Sequence, residues 1–180
     1  MPARGACVHP DIERVLIDEG RIQQRVRELG QEISRDYRGR DLTLVGILKG
    51  GAVSLADLMK SVTMDCSIDF MSVSSYAGKT STGAVRVLLD LRDNPEGKDL
   101  LVVEDIMDTG LTLNYLLANL ATRKPRTLEV CALFDKPQRR RVPAQAKYVG
   151  FALPDDFVVG YGLDYREKYR NLPYVGVLRR

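Results

Sequence analysis

At 180 residues, the chain is long enough for one domain with a substantial core. Its net charge of +3 is too small to require a nucleic-acid partner, and no apolar run reaches the roughly 18 residues of a membrane span. The three cysteines form no CxxC pair and the one histidine is isolated, which argues against a zinc site and a histidine-based triad. Reduced thiols and no apolar leader segment predict a cytoplasmic location.

The first regular element is predicted just after Asp18, a residue that can cap a helix. We expect this helix to end near residues 37–39. Its apolar face is carried by Ile22, Val26, Leu29 and Ile33.

A buried strand follows from Leu42 to Leu48, because a nearly continuous apolar run of that length is typical of a parallel strand. Lys49, Gly50 and Gly51 come directly after it, and helical spacing of apolar residues resumes at Ala52. The pattern predicts a strand–turn–helix unit. Taken alone, the glycine pair is equally compatible with an ordinary connection.

A long hairpin is predicted next. Alternating apolar residues mark one strand from Ser67 to Ser75 and a second from Val85 to Leu91. The intervening segment, residues 74–83, is small, polar and glycine-bearing, which predicts a flexible tip. Composition leaves open whether that tip is a plain loop or a functional lid.

The segment from Leu100 to Leu113 is the most informative part of the chain. Four apolar residues lead into the acidic pair Glu104 and Asp105, and helical spacing begins at Leu111. The pattern predicts a buried strand, a tight turn and a helix, so the turn lies where open α/β sheets bind ligands.

This turn is suited to a phosphate. The first N–H groups of a helix lack partners and the helix dipole is positive there, while Thr109 and Thr112 add hydroxyl donors. Three carboxylates stand close by, at Glu104, Asp105 and Asp108. Carboxylates and phosphates repel unless a cation lies between them, which argues for Mg²⁺. Considered singly, Asp108 could be a plain N-cap and the acidic pair a solvated strand end.

Further strands are predicted at 127–134 and 148–153, with a strand-like segment at 157–161. The basic run Arg139–Arg141 lies between them. We interpret it as a solvated surface or a subunit contact, because no aromatic residues are interleaved as in nucleic-acid patches.

The segment from Leu100 to Leu113 resembles the diphosphate-ribose-binding motif of the type I phosphoribosyltransferases. That motif is an apolar run, two acids, two apolar residues, Asp, Thr or Ser, Gly, a variable position and Thr, and every position fits. The resemblance implies that Glu104 and Asp105 meet the ribose hydroxyls of phosphoribosyl diphosphate, directly or around Mg²⁺. It assigns the 5′-phosphate to the loop Asp108, Thr109, Gly110, Leu111 and Thr112.

Two other segments fit the same family. Leu48-Lys49-Gly50-Gly51 is similar to a loop whose amides face the diphosphate and whose leading peptide is often cis, a point that sequence leaves open. Ser75 and Tyr76 match the pair that closes the family's active-site lid over the diphosphate.

The C-terminal part resembles the hypoxanthine-guanine branch, through Lys136 and the segment FVVGYGLDYREKYR from Phe157 to Arg170. The resemblance implies that Phe157 stacks on the purine and Val158 offers backbone groups to its edge. Lys136 would donate to the exocyclic oxygen O6. In the same segment, Asp164 would border the purine and help hold Mg²⁺, and Arg170 would contact the diphosphate.

The resulting prediction is an α/β fold with a central parallel β-sheet flanked by helices, a small hood and a flexible hairpin lid. One domain covers residues 1–180, with the hood formed by about 1–38 and 150–180. The implied reaction transfers the phosphoribosyl group to hypoxanthine or guanine in purine salvage. Asp108 is assigned to the N7 proton, as general base or electrostatic partner.

The implied partners are phosphoribosyl diphosphate and a 6-oxopurine base, with no membrane and no nucleic acid. We also expect a homo-oligomer, a dimer or a tetramer. Two alternatives remain: a transferase that prefers another base, xanthine or adenine, and an RNA-binding regulator that keeps the fold. Only the run Arg139–Arg141 points to the regulator, and the intact purine segment points away from it.

Overall fold

The structure is a computed structural model that describes residues 8–75 and 85–179. Those residues form nine strands and three α-helices. The strands are β1 (Ile12–Ile17), β2 (Leu42–Leu48), β3 (Ser67–Ser75), β4 (Val85–Leu89), β5 (Asp99–Met107), β6 (Thr127–Asp135), β7 (Tyr148–Ala152), β8 (Val158–Val159) and β9 (Val175–Leu178). The helices are α1 (Glu19–Asp36), α2 (Gly51–Ser61) and α3 (Leu111–Ala121), and Pro137–Arg139 form one 3₁₀ turn.

The main sheet has six strands in the order β4-β3-β2-β5-β6-β7. All neighbours are parallel except the edge strand β4, which pairs antiparallel with β3. The central strands β2 and β5 are buried along most of their length, as expected for strands covered on both faces. The predicted α/β class with a central, mostly parallel sheet is confirmed.

Helices cover both faces of this sheet. Alternate residues of β5 point to opposite sides, so Leu101 packs in a core with α1 and α2, and Val102 packs in a second core with α3. Helix α1 begins where Asp18 accepts a hydrogen bond from the N–H of Arg21 at 2.9 Å, so the predicted N-cap is confirmed.

A separate three-stranded antiparallel sheet, in the order β1-β9-β8, joins the two ends of the chain. The sequence pattern gave no prediction for β1 or β9. Only Val158 and Val159 of the strand-like segment 157–161 pair as a strand. The proposed extent of the hood stays a prediction, and this sheet gives it a physical framework.

The predicted hairpin is present as the antiparallel pair β3–β4. Residues 76–84, which include Tyr76 and most of the predicted lid, lie outside the described residues. In the described part of the chain, no helix has both the length and the apolar character needed to cross a membrane.

Candidate active site

The predicted site residues converge because three parallel strands end at the same edge of the sheet. Strand β2 ends at Leu48, β5 at Met107 and β6 at Asp135. The segments that follow each strand are therefore neighbours, and they carry Lys49 to Gly51, Asp108 to Thr112 and Lys136. This edge is where open α/β sheets place their ligands.

An open cleft of about 270 Å³ lies at this edge. It is lined by Asp105, Ile106, Asp108, Lys136, Arg139, Phe157, Val158, Leu163 and Asp164. The cleft thus brings all four residues assigned to the purine, Lys136, Phe157, Val158 and Asp164, together with the predicted carboxylates Asp105 and Asp108. Sequence reasoning missed Ile106, Leu163 and Arg139, of which Arg139 alone carries charge.

Asp105 packs against the Gly50 segment, which in turn packs against the Gly162 segment. A Cβ added to Gly50 would lie 1.6 Å from Asp105 Oδ2, and a Cβ added to Gly162 would lie 2.6 Å from the carbonyl oxygen of Gly50. Gly162 also has a φ of +95°, which side-chain-bearing residues rarely adopt. Glycine is therefore required at both positions if the three segments are to meet.

The acidic pair at the end of β5 is half-buried, and burial dominates its protonation. Burial raises the pKa of Asp105 to about 6, against the lowering effect of the Arg170 charge. Burial, and secondarily the neighbouring Asp105, raises the pKa of Glu104 well above its ordinary value. A cation bound beside the pair would favour the charged forms of both carboxyl groups.

The described residues at this edge of the sheet do not form a metal site from protein ligands alone. Across residues 8–75 and 85–179, no three or more His, Cys, Asp or Glu side chains are grouped so that they could hold a metal ion. The predicted ligands Glu104, Asp105 and Asp164 therefore do not form a complete protein cage. Mg²⁺ is commonly held by one or two carboxylates together with substrate phosphates, and such a site needs no cage.

The predicted phosphate loop forms the sharp connection between β5 and α3. Gly110, not Asp108, is the N-cap of α3, with a φ of +83°. The first turn of α3 contains no acidic residue, so its positive end is not neutralised locally. The carbonyl oxygen of Thr109 accepts a hydrogen bond from the N–H of Arg141 at 3.0 Å, which fixes the loop from the opposite side.

The basic run Arg139–Arg141 lies at the site, and its interpretation as a solvated surface or subunit contact is wrong for Arg140, which is mostly buried, whereas Arg139 is exposed and borders the cleft. Arg139 Nε lies 3.0 Å from Asp108 Oδ1, a buried atom that has no aligned hydrogen-bond donor. The Arg140 side chain is only 16% exposed. It pairs with the carboxylate of Asp135 and donates to the carbonyl oxygens of Met107 and Asp108.

The residues assigned to the purine differ in what they expose. Lys136 is 6% exposed, and its ammonium donates to the carbonyl oxygen of Asp156. Burial lowers the pKa of Lys136. The ring of Phe157 is 36% exposed and stands edge-on to Tyr165 at 5.5 Å. The Val158 side chain is buried in the core, so a ligand could meet only its backbone.

The two predicted diphosphate cations are paired with carboxylates of the segment 164–170. Lys49 Nζ lies 2.6 Å from Glu167 Oε2, and Arg170 Nη2 lies 2.8 Å from Asp164 Oδ1.

The Leu48–Lys49 peptide is cis, which decides the point that sequence had left open. The backbone of Ser75 ends β3. A second cleft, of about 480 Å³, lies beside this segment and is also lined by His9 and Asp11.

Comparisons with known proteins agree with this geometry. Residues 16–166 match the Phosphoribosyl transferase domain family. A hypoxanthine-guanine phosphoribosyltransferase of Staphylococcus aureus is 51% identical over 173 residues, which cover 96% of this chain and 97% of that protein. A crystal structure of a hypoxanthine phosphoribosyltransferase from Staphylococcus aureus has a TM-score of 0.93 at 50% identity, covering 98% of this chain and 97% of the other. A hypoxanthine-guanine phosphoribosyltransferase from Bacillus anthracis has a TM-score of 0.88 at 44% identity, covering 94% and 99%.

Gly50→Ala tests the close packing at Asp105. Gly50 has a φ of −64° that alanine tolerates, so the added methyl group acts through its clash with the Asp105 carboxylate and its 3.1 Å approach to the Gly162 carbonyl oxygen. We expect the free energy of unfolding, measured by urea denaturation, to fall by about 1–3 kcal/mol. The matched control is Gly20→Ala in α1, where the nearest atom is a side-chain oxygen at 3.2 Å and stability should not fall. Equal stability of the two variants would contradict the steric argument.

Proposed function

The chain belongs to the phosphoribosyltransferase family, and from this premise we propose that it transfers the phosphoribosyl group of phosphoribosyl diphosphate to hypoxanthine or guanine. The products are inosinate or guanylate and diphosphate, so the enzyme acts in purine salvage. One observation carries the proposal: a single cleft is lined by a carboxylate, a buried ammonium and an exposed aromatic ring, at Asp108, Lys136 and Phe157.

Recognition of the base is assigned to Lys136 and Phe157. An ammonium has three donors and no acceptor, so it suits the C6 oxygen of a 6-oxopurine. In the free protein the ammonium donates to the carbonyl oxygen of Asp156, the residue directly before Phe157. The exposed face of Phe157 can stack on the purine, and its edge-on contact with Tyr165 holds the ring in place.

Chemistry at the base is assigned to Asp108. As a purine ring nitrogen bonds to C1 of the ribose, the C1–O bond to diphosphate breaks and the base becomes more acidic at N7. A carboxylate beside N7 accepts or stabilises that proton. Arg139, 3.0 Å away, restricts where the Asp108 carboxylate can point.

Binding of the phosphates is assigned to the loop from Asp108 to Thr112 and to the segment Lys49 to Gly51, with Arg170. Gly110 begins α3 without a side-chain cap and with no acid in the first turn, which supports a phosphate there. The lid residues Ser75 and Tyr76 complete the proposed diphosphate site.

Mg²⁺ is proposed as the cofactor. The donors fit it, because Asp105 and Glu104 are half-buried acids whose pKa values are raised by burial, and a bound cation would favour their charged forms. Asp105, with Glu104 or Asp164, would hold the ion together with substrate oxygens. When bound, Mg²⁺ neutralises part of the charge of the departing diphosphate.

Assembly and location stay proposals. A homo-oligomer, dimer or tetramer, is supported by exposed apolar side chains on neighbouring strands, with Ile68 47% exposed and Leu88 60% exposed. A cytoplasmic location is supported by Cys66 and Cys131, which are free thiols in the described part of the chain.

Two of the three arginines that pointed to RNA binding, Arg139 and Arg140, are engaged by carboxylates and carbonyl oxygens of the cleft, which weighs against that alternative. Xanthine and guanine differ at C2, so the ratio of their kcat/KM values reports the contacts made there.

Asp108→Asn tests the assignment of the catalytic carboxylate. The amide cannot accept the N7 proton, so kcat should fall by roughly ten- to ten-thousandfold, the range of general acid–base effects. The Kd for phosphoribosyl diphosphate, measured by equilibrium titration, should change little. Wild-type turnover by the Asn variant would refute the assignment.

Metal removal tests the cofactor. Excess chelator should abolish diphosphate release, and Mg²⁺ or Mn²⁺ should restore it. Zinc should not be needed, since no His- or Cys-bearing metal group occurs in residues 8–75 and 85–179. Full activity in chelator would rule out a metal requirement.

The choice of base tests Lys136. Adenine carries an amino group at C6, which is a hydrogen-bond donor like the Lys136 ammonium. Binding of adenine would therefore leave the buried Lys136 charge without an acceptor. Discrimination against adenine can then reach roughly 10⁴ in kcat/KM. The measurement is kcat/KM for hypoxanthine, guanine, xanthine and adenine.

Lys136→Ala should raise the KM for 6-oxopurines while binding of phosphoribosyl diphosphate stays nearly unchanged. The variant is measured beside wild type with the same four bases. Adenine turnover equal to that of hypoxanthine, or an alanine variant with full 6-oxopurine efficiency, would show that Lys136 does not select the base.

A further inference from the structure

One carboxylate in the C-terminal segment contacts both cations that are assigned to the diphosphate. Glu167 Oε2 lies 2.6 Å from Lys49 Nζ, and Glu167 Oε1 lies 3.5 Å from Arg170 Nη2. Lys49 and Glu167 are 118 residues apart in sequence, so this contact is a product of the tertiary fold. The two oxygens of one side chain thus bridge two cations, as the oxygens of a diphosphate could.

We propose that Glu167 occupies the diphosphate subsite of the free enzyme and must be displaced when phosphoribosyl diphosphate binds. The inference rests on the proposed assignment of Lys49 and Arg170 to the diphosphate. Lys49 and Arg170 are assigned to strengthen diphosphate binding, whereas Glu167 weakens binding of the substrate and of the diphosphate product.

The backbone holds Glu167 in this position. Arg166, Glu167 and Tyr169 have φ values of 51°, 64° and 75°, in the left-handed region. Tyr165 and Lys168 exchange two backbone hydrogen bonds of 3.2 and 3.1 Å, which closes the turn between them. The N–H of Glu167 also donates to Asp164 Oδ2 at 2.9 Å. A turn fixed in this way directs the Glu167 side chain toward Lys49.

The contact is weak enough to be displaced. The Glu167 and Lys49 side chains are 64% and 66% exposed, so water screens their attraction. The Lys49 hydrogen bond and charge lower the pKa of Glu167, which is therefore a full anion at neutral pH. A diphosphate carries more negative charge than one carboxylate and offers more acceptor oxygens, so it should win the two cations.

Competition between Glu167 and a diphosphate determines the direction in which a change at Glu167 alters diphosphate affinity. If Glu167 helps to hold the ligand, removing its charge weakens diphosphate binding; if Glu167 competes for the two cations, removing its charge strengthens diphosphate binding. Since product diphosphate uses the same subsite, Glu167 should lower the affinity for diphosphate as well as for the substrate. Inosinate lacks a diphosphate, so its affinity should be independent of Glu167.

The test compares Glu167→Gln with wild type in calorimetric titrations with inorganic diphosphate, phosphoribosyl diphosphate and inosinate, each with Mg²⁺. The expected result is a Kd for both diphosphates that falls by about two- to fivefold, the scale of exposed ion pairs, with no change for inosinate. Glu96→Gln is the matched control, because Glu96 is an exposed acid in the loop that leads into β5, at the opposite edge of the sheet. It makes the same charge change and should leave all three affinities as in wild type.

A Lys49→Met background completes a double-mutant cycle. Lys49→Met alone should weaken diphosphate binding, and most of the gain from Glu167→Gln should disappear in the double variant. Unchanged or weaker diphosphate binding by Glu167→Gln, with Lys49→Met still harmful, would overturn the role of Glu167 alone. Wild-type diphosphate binding by both Lys49→Met and Arg170→Met would instead overturn the proposed diphosphate site, and this inference with it.

Discussion

The close packing of Asp105 against Gly50, and of Gly50 against Gly162, is the constraint on which the site depends. Gly50 leaves no room for a side chain beside the Asp105 carboxylate, and Gly162 leaves none beside the Gly50 carbonyl oxygen. The end of β5, the turn after β2 and the segment after β8 can therefore meet at van der Waals distance. Lys49, Asp108 and Arg170, which are assigned to the diphosphate and to the base, lie on or directly beside these three segments, so the contact fixes their relative positions.

A buried polar network holds the C-terminal segment against the main domain. Tyr161 is 4% exposed, and its hydroxyl donates to Asp57 of α2 at 2.6 Å, while Gln23 of α1 donates to the same carboxylate oxygen at 2.9 Å. Burial raises the pKa of Tyr161, so its hydroxyl stays a donor. Helix α2 starts directly after Gly50, and Tyr161 directly precedes Gly162. The C-terminal segment is therefore held against α2 and the turn before it in two ways, by these hydrogen bonds and by the packing of Gly162 against Gly50.

Charge within the site is arranged by pairing across the cleft. Arg140 neutralises Asp135 and binds the carbonyl oxygens at the end of β5, while Arg139 stands against Asp108. On the far side, Arg170 and Lys49 are paired with Asp164 and Glu167. The cations assigned to the diphosphate thus have internal partners, and binding of a diphosphate there would exchange one set of ion pairs for another. Such an exchange costs less than desolvating free charges.

The sequence by itself determined the elements whose pattern is local. The apolar runs of β2 and β5, the cap at Asp18 and the turns after Leu48 and Met107 specify strands, helices and their order, and the parallel order specifies the edge at which ligands bind. Only the tertiary structure decided which charges meet. Strand β9 is four residues long and β1 carries exposed charged positions, so neither sequence shows a recognisable strand pattern. Each becomes a strand through its pairing with the other. The partners of Arg140 and Glu167 lie up to 118 residues away, and a run of like charges in sequence says nothing about the carboxylates that fold against it.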